Sequence, residues 1–192
     1  MKKSDLLKLT TAIKNKKLFL ACLFRPTKKK DFQKVVNISD EIKLTIDYNK
    51  TIEQAVADGD FRWKNGDINS KNFPVPPEMI GKKVEVSAKL FNFNYDIGAE
   101  GVISEMKKAG YRPARVRELL ALRYLIPEPR EQSPIIALGS SYLDIFMGPC
   151  VPSIISDFLV DGIRCELNLF WRGGEWDHRC HFLGIRIMKE DE

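Results

Sequence analysis

Four stretches decide how this chain is read: Gly110-Tyr-Arg-Pro-Ala-Arg-Val-Arg-Glu-Leu-Leu-Ala-Leu122, Ile135-Ile-Ala-Leu-Gly-Ser-Ser-Tyr142, Trp171-Arg-Gly-Gly-Glu-Trp176 and Phe182-Leu-Gly-Ile-Arg-Ile187. In order they read as a helix, a turn of small residues, a Gly-Gly-aromatic loop and a closing strand. The helix starts near Pro113, and Val116, Leu119, Leu120 and Tyr124 recur at helical spacing to form its inward face. Pro127 and Pro129 close it. Pro134–Leu138, Asp157–Val160, Ile163–Phe170 and Phe182–Ile187 read as strands, and Asp161-Gly162 signals a hairpin between two of them. A Gly-Gly pair admits positive φ at a tight turn, which lets Trp176 fold back over apolar surface.

Upstream, Ile42, Leu44, Ile46 and Tyr48 alternate with polar residues and predict a half-buried strand. Thr51 with Gln54 three residues later forms a capping box for a helix that Gly59 stops. Phe61 and Trp63 follow as a short aromatic strand, and 66–77 is loop, rich in Asn, Asp and Pro. Val84, Val86, Ala88 and Leu90 alternate again, through Phe91 and Phe93. Asp96 is the expected N-cap of the next helix, with Val102, Ile103, Met106 and Ala109 inward and Gly110 as its stop. Near the N-terminus Ser4 caps a short helix, and Leu18–Phe24 is an apolar run that reads as strand or helix. Helices early and strands late make the class α+β: a mixed, mainly antiparallel sheet with two or three helices.

The 192 residues, 44% apolar and 30% charged, fit a globular domain, and no run is long enough for a membrane span. Leu18–Phe24 lacks the cleavage site of a signal peptide, so a cytoplasmic chain is expected. Cys22, Cys150, Cys165 and Cys180 form no Cys-x-x-Cys pair, which leaves them as small buried hydrophobes in a reducing compartment. Were the protein exported, Cys165 and Cys180 would be placed to bridge adjacent strands. The net charge of +5 is uneven: residues 1–34 hold eleven basic side chains against Asp5 and Asp31, and the remainder 20 basic against 24 acidic. This divides the chain into a basic segment, 1–34, and one α+β domain, 35–192. Such an arm, with Lys28, Lys29 and Lys30 at its densest point, is suited to contacting phosphates or another acidic surface, which makes nucleic acid the alternative partner. A solubilising terminus is the plainer use.

Residues 110–187 together resemble the bacterial C-type-lectin-like fold. That group holds the formylglycine-generating-enzyme superfamily and the variable proteins of diversity-generating retroelements. Tyr111, Arg112, Glu118 and Leu119 match its helix-start pattern, and Ser140 and Ser141 its small-residue turn. Arg172, Gly173, Gly174 and Trp176 match its Gly-Gly loop, and Gly184 and Arg186 its closing strand. The resemblance implies a C-type-lectin-like architecture over this part. It carries over no catalytic residue, because Cys180 is not at the offset at which the formylglycine-generating enzymes place theirs. Glu118 and Arg186 are candidates to pair across the ends of the domain.

His178 and His181 are three apart, a spacing that shares a metal on a helix but divides between faces on a strand, so no metal is expected. Gly139-Ser140-Ser141-Tyr142 lacks the second glycine of a nucleophile elbow, and Gly98–Gly101 lacks the lysine of a phosphate loop. With no catalytic constellation and no cofactor motif, the expected function is recognition of a protein or small ligand through the C-terminal loops. Tyr142, Trp171, Arg172, Trp176 and His178 are the candidate contacts.

Overall fold

Leu44 and Ile46 fall on one side of the first strand and are fully buried there, as the alternation predicts. A computed structural model describes residues 41–125, 133–159 and 162–187. The basic segment, with the helix expected after Ser4, the run Leu18–Phe24, Cys22 and Lys28–Lys30, lies outside those residues. So do Pro127, Pro129, Val160 at the end of its expected strand, and Asp161 of the expected hairpin turn.

The strands are β1 (Ile42–Asp47), β2 (Trp63–Lys64), β3 (Lys83–Asn92), β4 (Ile97–Gly98), β5 (Tyr111–Pro113), β6 (Ile135–Ile136), β7 (Tyr142–Asp144), β8 (Gly148–Leu159), β9 (Gly162–Trp171), β10 (Glu175–Trp176) and β11 (His181–Arg186). The helices are α1 (Ile52–Asp58), α2 (Ala99–Lys108) and α3 (Val116–Leu125). Nine strands form one sheet along the path β1-β3-β11-β6-β8-β9-β2, with β5 also on β11 and β7 on β8. Its pairs are antiparallel except β11 with β6 and β2 with β9, so the sheet is mixed and largely antiparallel. The class is α+β.

Period-two alternation sorts neighbouring residues onto opposite faces. Ile135, Ile154, Leu169 and Leu183 join the core under α1 and α3, and their neighbours Ile136, Ile155, Phe170 and Phe182 join a second core under α2. Both faces of the central strands are therefore covered. That explains why β11 reads as a continuous apolar run rather than as an alternating one.

Several boundaries differ from expectation, each for a local reason. Gly98, not Asp96, is the N-cap of α2, because Ile97 and Gly98 are held extended by pairing with Glu175 and Trp176. Pro113 precedes α3 and belongs to β5, paired with Gly184. Tyr124 is 73% exposed, so the inward face of α3 ends at Leu122. Gly59 ends α1 in a right-handed conformation, and Asp60 takes the positive φ of 46°. Gly110 does end α2 at a φ of 84°. The strand expected from Asp157 begins at Gly148, despite Pro149 and Pro152. The Pro152 carbonyl accepts from Ala137 just past the end of β6, so its missing N–H falls on that side and the ladder to β9 stays intact.

Candidate functional site

The first turn of α3 is assembled from three places in the sequence. Glu118, 1% exposed, accepts from the Arg115 amide at 2.6 Å and from both terminal nitrogens of Arg112 at 2.6 and 3.1 Å. This is the N3 half of a capping box. A second of the turn's free amides is met from the 139–141 turn, where Ser140 Oγ accepts from Val116 N–H at 3.1 Å. Gly139 brings that turn in, its amide donating to the Ala114 carbonyl at 2.8 Å. A Cβ at 139 would lie 2.5 Å from the Pro113 carbonyl oxygen, so only glycine allows this approach. Burial opposes the Arg112 charge, but the Glu118 carboxylate outweighs it and holds Arg112 above its ordinary pKa.

Arg117 ties this turn to α1. It is 7% exposed, donates Nη1 to the Lys50 carbonyl at 2.7 Å, and lies 5.7 Å from the centre of the Tyr48 ring. Its Nε and Nη2 are buried without a hydrogen-bond partner. Burial lowers the Arg117 pKa and raises that of Tyr48, the Glu118 charge adding to the latter.

The third wall is the 65–78 loop. The Asn65 side chain accepts from the Asp67 amide, Asn69 from the Asn72 amide, and Asn72 Nδ2 donates to the Asp67 carbonyl. Ser70 donates its amide and hydroxyl to Glu53 of α1, at 2.8 and 2.6 Å, which pulls the Glu53 pKa down to about 2. Between this loop, the start of α3 and the 139–141 turn lies a cleft of about 390 Å³. Phe73, Pro74 and Pro76 form its apolar side, and Arg115, Arg117 and Ser140 its polar side. A second groove of about 330 Å³ runs between β1, α1 and α3. Lys43 and Arg117 line it as well, beside Lys50, which pairs with Asp58 at 2.6 Å, and Lys83, which pairs with Asp47 at 3.7 Å.

The residues expected to bind ligand do not converge. Trp176 is 1% exposed and stacks edge-on against Phe182 at 5.4 Å in the second core, so it is a core side chain, not a loop contact. Tyr142 packs against the first core with its ring 6.5 Å from Phe73. Trp171, 41% exposed, shares a cross-strand row with Tyr142 through Cys150. Arg172 is bound to Glu100 of α2 at 2.7 Å, and the His178 carbonyl accepts from Asn92 at 2.6 Å. Glu118 pairs with Arg112 and Arg186 with Glu41, rather than with each other. Cys150, Cys165 and Cys180 are all buried, and burial pushes the Cys150 thiol up to about 12.

Helical spacing places Arg117 and Glu118 on a polar face, yet every residue from Val116 to Leu120 is buried. The helix-start pattern signalled Glu118; nothing in the spacing signalled the 72–78 wall. No helix among the described residues is long and apolar enough to cross a membrane. Compared with known proteins, the chain matches no family model, no curated protein and no solved structure.

Proposed function

We propose that the chain is a binding module for a small ligand, and that its site is the cleft at the start of α3. The observation that carries this reading is the cleft itself, of a size suited to a small molecule and walled by three segments held by side-chain hydrogen bonds. Two groups at this turn have structural partners, Glu118 holding Arg112 and the Arg115 amide and Ser140 capping Val116, while Arg117 keeps two unbonded nitrogens. That favours recognition over catalysis. The C-type-lectin-like assignment of residues 110–187 belongs to the same proposal. It draws support from the way Arg112, Glu118, Ser140 and Gly184, drawn from three of its four patterns, meet at one junction. A fragment library screened by NMR against the full chain tests the site. Hits should lose binding in Ser141→Trp, which fills the cleft from an exposed position; hits that bind this variant unchanged place the site elsewhere.

A second reading rests on the charge of residues 1–34, whose eleven basic side chains suit contact with nucleic acid. Binding to duplex DNA should then fall steeply with salt and vanish on deletion of 1–34. Binding that survives the deletion contradicts it.

A further inference from the structure

The unpartnered charge of Arg117 points to what the cleft takes. Of its three nitrogens only Nη1 is bonded, and to a neutral carbonyl; Nε and Nη2 have no partner. No carboxylate pairs with it among the described residues, and the Tyr48 ring is its aromatic neighbour. A guanidinium kept from water without an anion is strongly unfavourable unless a ligand completes it. Neither nearby acid reaches hydrogen-bonding distance: Glu118 serves Arg112 and the Arg115 amide, and Glu53, whose charge favours the Arg117 cation from further off, is bonded to Ser70. Arg115 lines the same cleft from an exposed position, and the ten-residue α3 directs the positive end of its dipole there.

Resting on the reading of the cleft as the binding site, we propose that its ligand is a small organic anion. A phosphate or carboxylate meets Arg117 and Arg115 at the start of α3, and a flat apolar body lies on Phe73, Pro74 and Pro76. A planar guanidinium fork matches either anion through two parallel hydrogen bonds. Nε and Nη2 are screened in the unliganded chain, so this binding mode requires the guanidinium to turn towards the cleft. Glu78, exposed on the opposite rim, repels a second negative charge and selects ligands charged at one end.

The test is an NMR titration of the isotope-labelled full chain with phenyl phosphate, benzoate, inorganic phosphate and the neutral benzyl alcohol. Phenyl phosphate or benzoate should shift the Arg117 Nε–H signal and the Val116 and Ser141 amides saturably, the tighter of the two naming the anion. Inorganic phosphate, lacking the apolar body, should bind about tenfold more weakly or worse. Arg115→Gln and Arg117→Met should each weaken the aromatic anion about tenfold. If Arg117→Met fails to fold, the wild-type Arg117 signal and Arg115→Gln decide. Benzyl alcohol binding as tightly as the anions overturns the charge assignment and leaves the cleft as a site. An unmoved Arg117 signal, with fragments binding Ser141→Trp unchanged, removes both.

Discussion

Gly139 shows how much one residue can fix. Its missing Cβ lets the 139–141 turn reach the Pro113 and Ala114 carbonyls, and so puts Ser140 over the first amide of α3. Gly139→Ala should destabilise the fold by about 1–3 kcal/mol, as overpacking against rigid backbone does, and urea unfolding measures it. Glu118→Gln keeps the shape but removes the charge that faces Arg112. A loss of about 2 kcal/mol is expected in the same assay, since the carboxylate is buried while Arg112 stays partly exposed. Cys150 should resist alkylation in the folded chain at neutral pH, because burial holds its thiol near 12 and little thiolate forms. Mass spectrometry after iodoacetamide treatment reads this directly; rapid native labelling would contradict the burial.

Among elements, α1 was the most legible. Thr51 and Gln54 make both bonds of the capping box as their spacing implies, and Thr51→Ala should cost about 1 kcal/mol of stability in thermal unfolding. The same helix anchors the cleft loop through Glu53 and Ser70, with a definite pH window. Glu53 titrates near 2 in the folded chain against an ordinary 4.5, so its contribution is complete above about pH 4.5 and fades as pH falls towards 2. The Ser70 amide signal should follow the Glu53 carboxyl through this range; a Glu53 titrating near 4.5 would contradict the contact. The other elements divide by how local their causes are. Alternation located β1 and β3 because each buries Leu44 or Ala88 on one side and leaves polar residues on the other. The start of α2 was misplaced because the Ile97–Trp176 pairing that delays it spans about half of the domain in sequence. Most of β8, 148–156, was hidden behind Pro149 and Pro152, which a strand tolerates only where the neighbouring ladder has ended.

At the scale of the molecule, a sheet covered on both faces decides which sequence signals reach the surface. Trp176 looked like a loop aromatic because it follows Gly173-Gly174, yet the β4–β10 pair turns it into the core beneath α2. Arg117 falls outside the inward face expected for α3, yet the helix is buried all round its first turn, because the sheet, α1 and the 139–141 turn enclose it. The candidate site was therefore legible only at Glu118 and Ser140, whose spacing relates to the helix start. Its other wall, 72–78, follows a loop tied to α1 through Ser70 and Glu53, a pairing that no local pattern encodes. The measurement that bears most directly on the central claim is a backbone amide shift map of the full chain with its tightest small-molecule ligand. The account predicts that the largest shifts fall on Asn72, Phe73, Val116, Arg117 and Ser141; shifts centred on Trp171, Arg172 and His178 instead would contradict it.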